Sequence, residues 1–247
     1  MNSTLPLALT FLTKLPWPWR GPADETALAR SMFWFPWVGA VLGLIYWGAW
    51  AGLHRALPAP AAAAVLLTLT VWITGGLHLD GLADTADGLG GGRTPAEALT
   101  IMKDSRVGAF GVISLILGLV LKFSLFLSMA PQTSGAGALL LFPIISRWSM
   151  VLLAYLSPYA RAEGGLGQAM TLGVSPRVLL GASLSAGGLS LLILGAPGLV
   201  LLAAAAALIW LGSLYFQRRL GGITGDILGA ANEVAEILVL AGAVMLT

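Results

Sequence analysis

Seven apolar stretches, most of them about as long as a bilayer is thick, divide this chain. A helix rises about 1.5 Å per residue and needs about 20 apolar residues to cross the hydrocarbon core of a membrane. Only 10% of the 247 residues are charged and the mean hydropathy is +0.89, which excludes a soluble globular fold. We therefore predict an all-α, polytopic bundle of about seven transmembrane helices, forming one integral membrane domain over residues 1–247. The predicted spans are residues 33–53, 61–76, 107–129, 135–156, 178–195, 198–216 and 227–246.

The basic residues fall mostly on one side of these predicted spans. Of the 13 Lys and Arg residues, ten lie on the side of the N-terminus, Arg55 alone lies on the other side, and Lys122 and Arg147 fall inside spans. Because cytoplasmic loops of membrane proteins are enriched in Lys and Arg, this asymmetry predicts a cytoplasmic N-terminus. It also predicts that the protein lies in the cell (inner) membrane and that its active site faces the cytoplasm. The segment 5–19 is predicted to lie at the membrane interface.

Three carboxylates crowd a short stretch between the second and third spans, within a predicted cytoplasmic loop of residues 77–106. Asp80, Asp84 and Asp87 stand at i, i+4 and i+7, which on a helix confines them to an arc of about 60°. Like charges this close repel one another unless a cation or shared protons compensate them. The chain has no cysteine, so the candidate metal ligands are oxygen atoms, which suit Mg²⁺ or, as a substitute, Mn²⁺. The alternative is a solvated acidic helix without a ligand.

A second acidic group lies on a helix predicted to begin at residue 225. Its polar stripe consists of Asp226, Asn232, Glu233 and Glu236. Apolar residues occupy the opposite arc, so this helix is expected to face lipid on one side and a polar site on the other. We expect Asp226 and Glu233 to contribute to the metal site. The alternative is that these acidic groups pair with Arg147 or Lys122 and only hold helices together.

Several further side chains are candidates for binding phosphate or moving a proton. Lys103 and Arg106 follow the Asp-rich segment and would clamp phosphate oxygens, although basic residues are also expected at a cytoplasmic boundary. Arg147 lies well inside its predicted span and should pair with a carboxylate or a substrate phosphate. Lys122 is nearer the end of its span and is expected to snorkel to the membrane surface. His78 is a candidate general base for an attacking hydroxyl, with a structural role as the alternative.

Four segments of the sequence carry a resemblance to a known family. They are FLTKLP at residues 11–16, GGLHLDGLADTADG at 75–88, IMKDSRVG at 101–108 and GITGDILGAANE at 222–233. Together they resemble the cobalamin synthase family, the adenosylcobinamide-GDP ribazoletransferases, and the resemblance spans essentially the whole chain.

The resemblance implies a Mg²⁺-dependent membrane enzyme that joins adenosylcobinamide-GDP to α-ribazole or its 5′-phosphate. GMP leaves, and adenosylcobalamin or its 5′-phosphate forms, in the last nucleotide-loop assembly step of cobalamin biosynthesis. The expected partners are these two substrates and the lipid bilayer. No nucleic acid is expected, and the oligomeric state stays open.

Combining the residues with this resemblance gives a set of predicted roles. The predicted metal ligands are Asp80, Asp84, Asp87, Asp226 and Glu233. The predicted catalytic residues are His78, Asp84, Lys103 and Arg106. The predicted substrate-binding residues are Lys103, Asp104, Ser105, Arg106, Arg147 and Asn232. The alternatives are another Asp-rich membrane transferase for a diphosphate substrate, of the prenyltransferase or CDP-alcohol phosphotransferase type, and a cation transporter.

Overall fold

The computed structural model describes residues 4–16, 24–129, 135–164 and 166–246. Within these ranges the chain forms twelve α-helices, and a 3-10 turn, Met32–Trp34, joins α2 to α3. The helices are α1 Thr4–Leu12, α2 Glu25–Ser31, α3 Phe35–Ala56, α4 Ala59–Thr74, α5 Leu77–Gly91, α6 Pro95–Ile101, α7 Ala109–Ser128, α8 Gly135–Leu156, α9 Leu166–Gly173, α10 Pro176–Leu194, α11 Ala196–Leu220 and α12 Gly225–Met245. Of the predicted interfacial segment, α1 is described and residues 17–19 lie outside the described ranges.

Six helical segments of the described chain are long and apolar enough to cross a membrane. They are the continuous α2–α3 segment, α7, α8, α10, α11 and α12. The bent pair α4–α5 counts as a seventh when its two helices are taken as one broken span. The predicted all-α polytopic bundle of about seven spans is therefore confirmed.

The second predicted span, residues 61–76, corresponds to α4 and ends in a right-angle turn. Gly75 and Gly76 have φ angles of +64° and +72°, a region that residues with a Cβ rarely adopt. The chain turns there, and α4 and α5 meet at 88°. As a result, the Asp-rich segment forms the separate helix α5, and it runs across the bundle.

Helix α8 forms the centre of the bundle. Nearly all of its residues are buried, and it packs against α3, α10, α11 and α12. A helix that is apolar and buried all round is typical of the core of a membrane protein. By contrast, α7, α10 and α11 bury only a minority of their residues and carry several exposed apolar side chains each, as expected for helices that face lipid.

A close crossing of α5 and α12 brings the two acidic segments together. A Cβ added at Gly81 would lie 2.6 Å from the backbone oxygen of Asp226, and one added at Gly229 would lie 3.3 Å from the Cα of His78. Small residues at such crossings let two helix backbones approach each other. The juxtaposition of the acidic faces therefore depends on the absence of side chains at these glycines.

Helix α6 begins with a capping box. The Thr94 hydroxyl accepts a hydrogen bond from the Glu97 backbone N–H, and the Glu97 carboxylate accepts one from the Thr94 N–H. Pro95 occupies the first turn, as expected. This short helix returns the chain from the end of α5 to the start of α7.

We expect Gly81→Ala to destabilise the protein by about 1–3 kcal/mol, because the new methyl group must push the backbone of α12 away. Gly52→Ala on α3 is the matched control, since a Cβ at Gly52 meets nothing within 4 Å. The control should change stability by about 1 kcal/mol or less. Thermal unfolding in detergent micelles measures both. An unfolding temperature for Gly81→Ala equal to that of the control would contradict the close crossing.

Candidate active site

Carboxylates from α5 and α12 form one acidic face where the two helices cross. The carboxylate of Asp84 lies within electrostatic range of those of Asp80, Asp226 and Asp87. Asp80 is exposed, and its side chain makes no hydrogen bond to any described residue. The structure thus brings together Asp80, Asp84 and Asp226, which come from two segments far apart in the sequence.

Asp87 has a different environment from the other acidic residues of α5. It is only 8% exposed, and its carboxylate accepts hydrogen bonds from the backbone N–H groups of Gly108 at 2.7 Å and Gly111 at 2.8 Å. These groups begin α7, where a negative side chain is favourable because the helix dipole is positive there. Asp87 therefore fastens the start of α7 to α5, and its role as a metal ligand stays a prediction.

Asp226 is paired with a residue that the sequence did not single out as a site residue. Arg161, in the loop after α8, donates a hydrogen bond of 2.8 Å to the Asp226 carboxylate. The loop is held by backbone hydrogen bonds in both directions between Pro158–Ala160 and Ile223. Because arginine is expected at any cytoplasmic span end, nothing in the sequence distinguished Arg161 from the other basic residues.

The acidic face opens into a cavity of about 270 Å³, here called the acidic cavity. Its polar lining is His78, Asp80, Tyr159, Arg161 and Asp226. His78 is only 1% exposed, and neither of its ring nitrogens has a hydrogen-bond partner among the described residues. Since buried polar groups normally have partners, the unpaired imidazole on the cavity wall is available to bond a ligand or water.

Glu233 does not lie on the acidic face. It pairs inside the bundle with Lys122, which also pairs with Glu236. Arg147 pairs with Glu236 as well, and Asn232 donates a hydrogen bond of 3.1 Å to the same carboxylate. We call these five side chains the buried ion network, and it joins α7, α8 and α12.

The buried ion network decides between alternatives that the sequence left open. Pairing of Glu233 and Glu236 with Lys122 and Arg147 is confirmed, whereas Asp226 pairs with Arg161 instead. The expectation that Lys122 snorkels to the surface is wrong, because the side chain is 4% exposed and two glutamates supply its counter-charges. Metal ligation by Glu233 and substrate binding by Arg147 and Asn232 stay predictions, and none of the three lines the acidic cavity.

The Lys103–Arg106 loop lies at the exposed edge of the site. Lys103 pairs with Glu163, which follows Arg161 by two residues. Arg106 donates hydrogen bonds of 3.0 and 2.6 Å to Asp104, and these bonds lower the pKa of the Asp104 carboxyl to about 2. Ser105 is exposed. The loop therefore contacts the segment that carries Arg161, and its two cations are held only by exposed ion pairs, which are weak.

The donor chemistry of the acidic face suits a magnesium ion that a substrate helps to bind. Among the described residues, no group of three or more His, Asp or Glu side chains is placed to hold a metal ion by itself. Mg²⁺, however, is usually bound by one or two carboxylates together with substrate phosphates and water. Asp80 and Asp84 offer such carboxylates, with Asp226 beside them.

Comparison with known proteins gives a consistent result over the length of the chain. A family model described as cobalamin-5-phosphate synthase matches residues 4–244. A protein of Syntrophobacter fumaroxidans named adenosylcobinamide-GDP ribazoletransferase is 42% identical over 238 residues, which cover 96% of each chain. A protein of the same name from Ectopseudomonas mendocina is 44% identical over 239 residues, with 95% of each chain covered. No solved structure matches.

We expect Lys122→Met to destabilise the protein by about 3–5 kcal/mol, because it leaves Glu233 buried without a counter-charge. The double variant Lys122→Met, Glu233→Gln removes both charges and should recover part of that loss. Glu236 keeps Arg147 as its partner in both variants. Thermal unfolding in detergent micelles compares the two variants with the wild type. Wild-type stability of Lys122→Met would show that the buried ion network does not hold the helices together.

Proposed function

Because the chain belongs to the cobalamin-5-phosphate synthase family, we propose that it joins adenosylcobinamide-GDP to α-ribazole or its 5′-phosphate and releases GMP. The chain is an enzyme of cobalamin synthesis and a multi-pass membrane protein. The observation that carries the detailed proposal is the acidic cavity, where carboxylates of α5 and α12 meet Arg161 and an unpaired imidazole. These groups suit the transfer of a substituted phosphoryl group from a diphosphate to a hydroxyl.

The proposed reaction exchanges one phosphorus–oxygen bond for another. A ribazole hydroxyl attacks the phosphorus atom next to the cobinamide, a new P–O bond forms, and the P–O bond to GMP breaks. Negative charge develops on the phosphoryl oxygens and on the leaving oxygen, so catalysis depends on positioning and on positive charge. Arg161 supplies that charge on the cavity wall, and its pairing with Asp226 fixes its orientation.

A proton must leave the ribazole hydroxyl during this attack. His78 is the favoured acceptor, because its imidazole lines the acidic cavity and has no partner among the described residues. A neutral imidazole can take the proton in one step. Asp84 is the alternative acceptor, since its carboxylate shares the acidic face with Asp80 and Asp226.

We propose that Asp80 and Asp84, with Asp226, hold Mg²⁺ on the acidic face. The ion, when bound, neutralises charge on the diphosphate. Asp87 and Glu233 are weaker candidates for this role, because the first is bonded to the backbone of α7 and the second to Lys122. Mn²⁺ would serve as a substitute.

The Lys103–Arg106 loop would bind the GMP portion of the substrate. To do so, Lys103 would release Glu163 and bind a phosphate group, and Arg106 would release Asp104 and bind one as well. Breaking either ion pair costs little free energy because both pairs are exposed. We place this side of the protein in the cytoplasm, on the basis of the excess of basic residues, in the inner membrane of the cell.

The two alternatives make different demands on the acidic residues. A cation transporter needs acidic groups free to bind ions along a path through the bundle. The glutamates inside this bundle, Glu233 and Glu236, are instead neutralised by Lys122 and Arg147. A prenyltransferase or a CDP-alcohol phosphotransferase would release pyrophosphate or CMP, so the leaving group separates these enzymes from the proposed one.

The proposed function is tested with the purified chain in phospholipid nanodiscs. Adenosylcobinamide-GDP, α-ribazole and Mg²⁺ are supplied, and the nucleotide and corrinoid products are separated by chromatography. We expect stoichiometric GMP and a corrinoid that carries the ribazole. Release of pyrophosphate in this assay, or metal-dependent ion flux in proteoliposomes without any transfer, would overturn the proposal.

We expect Asp84→Asn to lower kcat by at least about 100-fold and to raise the Mg²⁺ concentration needed for half-maximal rate, since it removes a charged ligand. Asp24→Asn is the matched control, because Asp24 only caps α2 and asparagine caps helices equally well. Both are assayed for GMP release across a Mg²⁺ titration, with thermal unfolding as the check on folding. Full activity of Asp84→Asn throughout the titration would remove Asp84 from the metal site.

A further inference from the structure

Two cavities meet at the first turn of α5. The acidic cavity lies on one side, and a cavity of about 580 Å³ lies on the other. Phe11, Leu77 and Asp80 line both of them. We call the larger one the N-terminal cavity, because Thr10, Thr13 and Lys14 of the N-terminal segment form one of its walls. A transfer reaction needs two substrates beside one set of reacting groups, and two cavities that share Asp80 provide that arrangement.

Lys14 brings a positive charge to the N-terminal cavity. Its backbone N–H donates a hydrogen bond of 2.6 Å to the carbonyl of Ile73 at the end of α4. The stem of its side chain lies over the corner between α4 and α5, since a Cβ on Gly75 would be 3.1 Å from the Lys14 Cγ. Its ammonium group has no ion pair with any carboxylate of the described residues.

The remaining walls of the N-terminal cavity suit a nucleoside with an apolar base. Val107, Leu115 and Leu119 form an apolar side contributed by α7 and the loop before it, and Thr74 with the N-terminal threonines adds hydroxyl groups. The volume falls within the range typical of small-ligand sites. An apolar wall, a polar edge and one unpaired cation match a nucleoside monophosphate.

We propose that the N-terminal cavity binds the ribazole substrate and that Lys14 binds the 5′-phosphate of α-ribazole 5′-phosphate. This proposal rests on the proposed function. The diphosphate of adenosylcobinamide-GDP then occupies the acidic cavity beside Arg161. Asp80 lies between the two substrates, where the ribazole hydroxyl must approach the phosphorus atom.

The 5′-phosphate is a spectator in this reaction, because it is neither attacked nor released and remains on the product. A group that binds it therefore contributes to binding of the phosphorylated acceptor alone. Loss of the Lys14 charge should weaken binding of α-ribazole 5′-phosphate and leave binding of unphosphorylated α-ribazole unchanged. A role of Lys14 in folding or in the chemical step would instead affect both acceptors equally.

The test compares both acceptors on Lys14→Met, which keeps the aliphatic stem and removes the charge. Initial rates of GMP release are measured in phosphatidylcholine nanodiscs at saturating adenosylcobinamide-GDP. We expect the KM for α-ribazole 5′-phosphate to rise about 10- to 100-fold with kcat unchanged. This is the loss of affinity expected when one hydrogen bond to a charged group is removed. The KM for α-ribazole should stay within about two-fold of wild type.

Two control variants define the effect. Lys14→Arg keeps the charge and should retain the low KM for the 5′-phosphate. Arg218→Gln removes one charge from an exposed residue that lines neither cavity, and it should leave both KM values unchanged. Equal KM changes for the two acceptors in Lys14→Met, or no change in either, would overturn the proposal.

A phosphate on a lipid headgroup offers Lys14 the same chemistry. The rates are therefore repeated in nanodiscs that contain phosphatidylglycerol. An effect of Lys14→Met that appears only with this anionic lipid, and for both acceptors, would assign Lys14 to the membrane surface and overturn the proposal.

Failure of the proposed function is recognised separately from failure of this inference. A wild-type protein that releases no GMP with either acceptor overturns the proposed function itself. The contribution of Lys14 to phosphate binding is then measured directly, by calorimetric titration of wild type and Lys14→Met with α-ribazole 5′-phosphate. Weaker binding by the variant supports the phosphate contact, and equal binding overturns it.

Discussion

An apolar bundle tolerates a charged side chain only where another charge or several hydrogen bonds compensate it. The acidic residues of α5 and α12 differ in how completely this happens. Glu233 and Glu236 share two buried cations, Lys122 and Arg147. Asp87 accepts two backbone hydrogen bonds at the start of α7. These carboxylates are satisfied within the protein, and their partners tie α5, α7, α8 and α12 into one unit.

The carboxylates that remain are those at the acidic cavity. The Asp226 carboxylate bonds to Arg161 and to the Thr224 hydroxyl. Asp84 faces three other carboxylates, and the Asp80 carboxylate has no hydrogen-bond partner among the described residues. Negative charge is thus concentrated where the fold itself supplies least compensation. A dication with a diphosphate would balance this charge, so the difference between satisfied and unsatisfied carboxylates separates residues that hold the fold from residues available for chemistry.

Features set by neighbours in the sequence could be predicted, and pairings between distant segments could not. The start of α12 at Gly225 and the helical spacing of the α5 carboxylates could be expected from local sequence. By contrast, Lys122 and Glu233 are 111 residues apart, and Arg161 and Asp226 are 65 apart. Their contacts depend on how the helices cross, which no local pattern encodes. For that reason the sequence offered Lys122 and Arg147 only as one alternative for the acidic group of α12, and it did not single out Arg161 at all.

The right-angle turn between α4 and α5 explains how one protein can combine an apolar bundle with phosphate chemistry. Helix α4 has 16 residues and is about 24 Å long, so a straight continuation would carry the carboxylates of α5 beyond the bilayer core. The turn at Gly75 and Gly76 instead packs α5 against α12 and α7, and its acidic face borders two cavities. The N-terminal segment completes both of them, since Phe11 lines each and Lys14 packs on the turn itself. The N-terminal segment therefore shapes the space around Asp80 in both cavities.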